Sequence, residues 1–455
     1  LPPKKQRKRA LAIGMKRKAV EYRTTQFCSF GENLVLMVYE SFETPLSIWI
    51  DKPGTAASAG YPIRMQGDLP FPEPGESYVH PGGRPAIAPG QSLTITFSLR
   101  FGPREMPVGP SLRATDEKLR AMHGEGPAWP DRRPIGMLIA SSVGHTSETN
   151  PRGWFNDKRI DVTTPEGRAA FRKRALTYAD RSVEVLKDMD AQGMILWDVE
   201  GSENPHPVTY VGDPRLVEAM APEMDAVADA FFAKFREAGL RTGVCIRPSR
   251  VSFDPEKKAW RHNTGSAWGA GVDPEYADHK PPRVPAWRFY PVARRLSDKI
   301  AYAKKRWGAS LFYIDTNGIH RFYGTKPDME CRWILLTAQV YRAVRKRHPD
   351  VLLIPEHIWC KQGSGATTWA YAAPYMELDM RGYGTPDWVR RIFPKACSVI
   401  NVTDGPFDKK RDKLVDAVRN GDVLLFRGWF NCHHNPKVKS VYEEVGDAVL
   451  RPGDE

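Results

Sequence analysis

Ser310-Leu-Phe-Tyr-Ile-Asp315-Thr-Asn317-Gly318 is the stretch that decides the fold. Leu311 to Ile314 are apolar without a break, and a carboxylate, an amide and a glycine follow at once. A strand that is apolar along its length is covered on both faces, as strands of a parallel sheet are. When it ends in an acid and a loop opens directly behind it, it resembles the way a (β/α)8 barrel offers side chains at its C-terminal face. The form recurs along the chain. Met194-Ile-Leu-Trp197 runs into Asp198-Val-Glu200-Gly201, and Val351-Leu-Leu-Ile354 into Pro355-Glu356-His357. Tyr375-Met376 leads to Glu377-Leu-Asp379, and Ser398-Val-Ile400 to Asn401-Val-Thr-Asp404-Gly405. Repetition at near-regular spacing predicts one carboxylate-lined site at the mouth of a barrel.

Outward from these strands the sequence predicts eight β/α units over 134–455. The strands are expected at 134–140, 194–198, 241–247, 310–315, 351–356, 374–379, 397–402 and 422–426. The helix after the first strand opens at Thr164-Pro165-Glu166, a cap residue followed by proline. Its apolar stripe reads Phe171, Ala175, Tyr178, Val185 and Met189. The next helix carries Met224, Val227, Ala228, Phe231 and Phe235. Further helices are expected near 291–306, 328–347, 408–419 and 438–447, and 248–290 is a long insertion rich in Trp, Pro and charge. Strand–helix alternation argues for a parallel sheet. A doubly wound sheet would want a glycine-rich phosphate loop after its first strand, and Ser141-Ser-Val-Gly-His145 is not one.

Before the barrel the pattern changes. Residues 1–18 are a basic tail, read as a solvated arm. Residues 19–105 hold short β runs, Leu34–Val38, Leu46–Ile50 and Leu93–Leu99, separated by Pro and Gly, and predict a small all-β sandwich-like domain. Residues 106–133, with Pro107, Pro110, Pro127 and Pro130, read as a linker.

At 455 residues and 41% hydrophobic content the chain can build large cores. No apolar run reaches the roughly 20 residues of a membrane helix, so no membrane partner is expected. The six cysteines are scattered, with no paired or metal-ligand spacing. The net charge of +13 suits an anionic glycan as substrate better than nucleic acid, since the basic run Lys4–Arg9 lacks interleaved aromatics. The chain begins at Leu1, and the expectation is a secreted or periplasmic protein that has lost a signal peptide.

Two carboxyls flanking a glycosidic bond can cleave it, one as acid and the other as nucleophile or base. Asp315 and Glu356, at the ends of adjacent strands, suit that pair. Asp198, Glu200, Arg247, Asn317, His357, Trp359, Arg381, Asp404, Trp429 and His433 are candidate substrate ligands around them. Aromatics there can stack on a sugar, and arginines can hold a carboxylate or sulfate. No cofactor and no metal is expected.

These positions resemble the retaining α-glycosidases of the α-amylase clan. That resemblance implies a nucleophilic Asp after strand four, an acid/base Glu after strand five and a stabilising Asp after strand seven, which are Asp315, Glu356 and Asp404. The clan's Arg before its nucleophile is Tyr313 here, and its His-Asp pair is Thr403-Asp404, so the likeness is closer to the endo-acting α-N-acetylgalactosaminidase group. Asp315-Thr-Asn317 also resembles the nucleophile strand of the α-galactosidase and α-glucosidase clan, which implies Asp379 as the acid/base. Two other classes stay open: a metal-dependent hydrolase or deacetylase using His433-His434 with Asp404 or Glu356, and a non-catalytic glycan-binding protein.

Overall fold

The computed structural model describes residues 25–30, 33–39, 46–50, 63–67, 97–103, 113–114, 117, 120–121, 124–127, 129–201, 212–247, 251–254, 259–262, 290–315, 318–323, 330–335, 338–355, 377–379, 384–385, 390, 393–403, 407–429 and 434–452. Among these, eight strands make one sheet. They are β1 (Ile135–Leu138), β2 (Gly193–Leu196), β3 (Thr242–Ile246), β4 (Ala309–Ile314), β5 (Leu352–Pro355), β6 (Glu377–Asp379), β7 (Ser398–Asn401) and β8 (Val423–Arg427). Their order is β5-β4-β3-β2-β1-β8-β7-β6, and each ladder is parallel. Since β1 pairs with β8, the strands follow one another round a cylinder in chain order. The two end strands, β5 and β6, lie side by side. This is a parallel (β/α) barrel, as the strand endings announce.

Two cores follow from the period of two along each strand. Ile135, Met137, Ile195, Trp197, Cys245, Leu311, Tyr313, Leu352, Ile354, Val399, Val423 and Leu425 fill the lumen. Leu138, Leu196, Val244, Ile246, Phe312, Ile314, Leu353, Ile400, Leu424 and Phe426 face the helix layer. That layer includes α1 (Pro165–Asp188), α2 (Pro222–Glu237), α3 (Tyr290–Trp307), α4 (Ala338–Arg347), α5 (Arg411–Arg419) and α6 (Asn435–Val445).

Helix α1 starts as expected, with the Thr164 side chain accepting from the Gly167 N–H at 3.1 Å and Pro165 in the first turn. Its buried stripe is Phe171, Ala175, Ala179, Ser182 and Leu186, rotated from the one read in the sequence, and Tyr178 and Val185 sit at its border. Small residues let the helix settle close to the strands. Gly136 of β1 is where Leu186 lands: a Cβ there would lie 2.3 Å from Leu186 Cδ2. On α2 the expected face is buried, and Phe232 joins it by stacking on Trp307 of α3 at 4.6 Å. Burial of each such ring stabilises the fold by roughly 1.5–3 kcal/mol.

Three expectations change. The helix expected from about 328 begins at Ala338; ahead of it Gly318–Tyr323 and Glu330–Leu335 pair as an antiparallel hairpin. The β-branched and aromatic residues of these runs, such as Ile319, Phe322, Trp333 and Ile334, prefer that pleated surface. The last helix covers 435–445 and not 438–447, opening earlier because Pro436 occupies its first turn. The end of the linker is not a free connector. Trp129 and Asp131 are buried, Trp129 Nε1 donates to Gln192 Oε1 at 2.9 Å, and Trp129 belongs to the lumen core. An indole can be buried there because its N–H has an acceptor.

In the N-terminal region, Thr25–Phe30, Asn33–Tyr39 and Phe97–Pro103 form one antiparallel sheet, and Leu46–Ile50 and Ile63–Gly67 form an antiparallel pair. Among the described residues no helix is long and apolar enough to cross a membrane.

Candidate active site

The ladder between β3 and β4 explains how the site is built. Cys245 is in register with Tyr313, and Ile246 with Ile314. The next residue on each strand is Arg247 and Asp315, on the lumen side by the same alternation that puts Cys245 and Tyr313 there. Their side chains meet: Arg247 donates to the Asp315 carboxylate from Nε, and its NH2 nitrogen pairs with the same carboxylate. The Asp315 backbone N–H is fixed on Ile246 O at 2.9 Å. Both side chains are nearly buried, at 8% and 7% exposure. A charge pair at such depth is stable only when it is well paired and hydrogen-bonded.

Below the pair, Trp197 and Tyr313 pack ring against ring at 4.2 Å between centroids. At the same end of the barrel, Ile139 is 39% exposed after β1, and Arg427 and Trp429, at the end of β8, form a cation–π contact at 5.5 Å. The rim thus combines an exposed aliphatic side chain, a half-buried indole and cationic groups, the kind of surface on which a sugar ring can rest.

Asp198 and Glu200 have a different place from the one expected. Leu196 faces the helices, so Asp198, two residues on, does too. Its carboxylate accepts from the Ala140 N–H at 3.0 and 3.1 Å, from the Ser141 N–H at 2.6 Å and from Ser141 Oγ at 2.5 Å. It thereby staples the loop after β1 to the end of β2. Burial pushes its pKa up to about 6, although these bonds favour the charged form. Asp198→Ala should destabilise the protein by roughly 2–4 kcal/mol, because several buried donors lose their acceptor. Urea unfolding measures this, and a loss under about 0.5 kcal/mol would show that the loop is held by other means.

Glu200 is fully buried, and among the described residues neither of its carboxyl oxygens has a hydrogen-bond partner. Burial, with the nearby charge of Asp213, raises its pKa to about 8, so it is mostly protonated at neutral pH. The folded pKa is above the unfolded one, so the stability that Glu200 contributes is whole at low pH and is lost as pH rises from 4.5 through about 8. Lys299, lowered to about 8 by burial, has the opposite slope, between about 8 and 10.5. Glu200→Gln should therefore gain stability relative to the parent by on the order of 1 kcal/mol per pH unit across the first window. Melting temperatures of both proteins between pH 5 and 8 test this. A difference that does not vary with pH would mean that Glu200 is ionised in the folded protein.

Of the other candidates, Asp379 is in register with Ile400, and Trp429 is half-buried at the rim. Asn317, Glu356, His357, Trp359, Arg381, Asp404 and His433 lie outside the described residues. Among the described residues no group of three His, Cys, Asp or Glu side chains is arranged to hold a metal ion. Reading the endings by residue type alone missed Ile139 and Arg427, which counting in twos from Met137 and Leu425 along the same strands finds.

No protein-family model matches the chain, and no curated protein does. Solved structures similar to it include an alpha-N-acetylgalactosaminidase from Bifidobacterium bifidum, at 13% identity and a TM-score of 0.40, covering 91% of this chain and 66% of that one. An alpha-fucosidase from Thermotoga maritima is 14% identical with a TM-score of 0.36, covering 73% of this chain and 77% of that one. An alpha-L-fucosidase from Bacteroides thetaiotaomicron is 11% identical with a TM-score of 0.36, covering 69% of this chain and 72% of that one. All three are glycoside hydrolases.

Proposed function

We propose that this chain is a retaining glycoside hydrolase that acts on α-linked sugars, with a β-sandwich-like domain ahead of its catalytic barrel. The observation that carries the reading is the buried Asp315–Arg247 pair at the C-terminal end of β3 and β4. A carboxylate in this place, paired with a guanidinium and standing above an aromatic floor, suits attack on an anomeric carbon. In this reading Asp315 Oδ forms a bond to the anomeric carbon as the bond to the leaving oxygen breaks. Glu356 gives that oxygen its proton. Water then attacks the glycosyl ester, loses its proton to Glu356 and frees Asp315. Glu356 is preferred to Asp379 for the proton because in the sequence it comes directly after β5, the neighbour of β4, as Asp315 comes directly after β4.

The rim cation Arg427 and the net charge of +13 are consistent with an anionic glycan. A panel of 4-nitrophenyl α- and β-glycosides, neutral, sulfated and uronic, tests the reading by nitrophenol release. The anomeric configuration of the first-formed product is read by proton NMR. Hydrolysis of an α-glycoside with retention supports it; a product of inverted configuration, or no release across the panel, overturns it.

A further inference from the structure

A lysine stands where an amphipathic helix should bury a hydrophobe. On α3 the core face is Ala293, Leu296, Ile300, Ala303 and Trp307, and Lys299 falls within it, with no exposed surface. A buried ammonium is costly unless it is held, so what holds it identifies its task. Lys299 Nζ donates to the carbonyl of Arg247 at 2.8 Å and to that of Gly212 at 3.1 Å. The Arg247 N–H closes the same knot by donating to Gly212 O at 2.9 Å. Asp213 balances the charge, with its carboxylate 3.5 Å from Nζ. Arg215 in turn grips Asp213 with two bonds, at 2.8 and 2.7 Å. Burial alone would raise the Asp213 carboxyl, but Lys299 and Arg215 outweigh it and hold it below the usual value. Gly212 takes a left-handed conformation, with φ of 70°, and a Cβ on it would lie 2.7 Å from Arg247 Cγ. The backbone that carries Arg247 is thus locked from three directions: α3, the loop ahead of Asp213, and β3.

We propose that Lys299 is a positioning residue for the active site: by tying the carbonyls of Gly212 and Arg247 to α3, it fixes the Arg247 guanidinium against Asp315. The proposal rests on Asp315 being the nucleophile, because only then does the alignment of Arg247 set the rate. Among the described residues, the titratable and charged groups that bear on Lys299 include Asp213 and Arg215 from the loop and turn beneath it, Glu200 from the end of β2, and Arg295 from its own helix. Without the clamp the Arg247 guanidinium is free to swing away, and the Asp315 carboxylate loses part of the positive charge beside it.

The test follows Asp315 itself. The full chain is labelled with carbon-13 at the aspartate carboxyls, and the Asp315 signal is the one missing from Asp315→Asn. In Lys299→Met its titration should move to higher pH by about one unit. In Asp213→Asn, which keeps the shape and weakens the hold on Nζ, it should move the same way by less. In Lys305→Met, an exposed lysine of the same helix, it should stay in place. On any 4-nitrophenyl glycoside that the parent hydrolyses, the acid limb of kcat should move together with the carboxyl signal, while KM changes less than about threefold. An Asp315 signal that titrates as in the parent in folded Lys299→Met overturns the proposal. If that variant does not fold, the same result in Asp213→Asn overturns it. Since the carboxyl signal needs no substrate, a shifted titration in a protein that hydrolyses nothing in the panel leaves the clamp in place and sinks only the glycosidase reading.

Discussion

Asp315→Asn should lower turnover by on the order of 10³-fold or more, on whichever glycoside the parent hydrolyses, with little change in fold. The argument is chemical before it is structural. An amide of the same shape still offers Arg247 an oxygen, but it has no charge with which to attack carbon. The Asp315 N–H bond to Ile246 O is in the backbone and survives the change. Circular dichroism and the melting temperature should stay near those of the parent while nitrophenol release collapses. Turnover within tenfold of the parent would remove Asp315 from the reaction.

Arg247→Met should be harmful on two counts. It strips a buried carboxylate of a partner, which costs about 3–5 kcal/mol when one member of such a pair is removed. It also lets Asp315 take up a proton at a higher pH, so the remaining activity should shift to alkaline conditions. The double variant Arg247→Met/Asp315→Leu separates the two effects. A well-packed apolar pair can be as stable as the ion pair it replaces. The double variant should therefore recover most of the stability lost in the single one, and none of the activity. Denaturant unfolding supplies the comparison. A double variant as unstable as the single one would mean that the pair is held by more than the mutual attraction of its members.

Most of the barrel was legible because its strands announce themselves by unbroken apolar runs and, in five of the eight, by an acid at the end. Gly193–Leu196 and Leu352–Pro355 are examples in which both signals agree with the observed ladder. The hairpin Gly318–Tyr323/Glu330–Leu335 was not legible, because Arg332, Trp333 and Leu335 fit a helical pattern as well as a pleated one until a partner strand is known. Asp315 was readable as a site residue, and so was Arg247. That they pair with each other depends on the β3–β4 register, which periodicity alone does not supply. Asp198 shows the reverse case. Its residue type and position suggested a sugar ligand, but the parity of its strand turns it towards the loop after β1, where backbone N–H groups occupy it. Lys299 left a visible trace, a cation in the apolar register of α3, which is worth reading as a signal in its own right.

The site's two charged members are borne at the ends of strands, and one of them, Arg247, is tied by its carbonyl to Lys299 of a helix, while the longest insertion, 248–290, starts directly after Arg247. On the proposed reading, the pair that cleaves the bond and the insertion that follows it in the sequence, with Trp260, Trp268 and Trp287, are separate targets for change. Libraries that seek a new glycan preference belong in the insertion. Positions 212, 213, 247, 299 and 315 should be kept constant, and a graft onto another barrel should carry those five together.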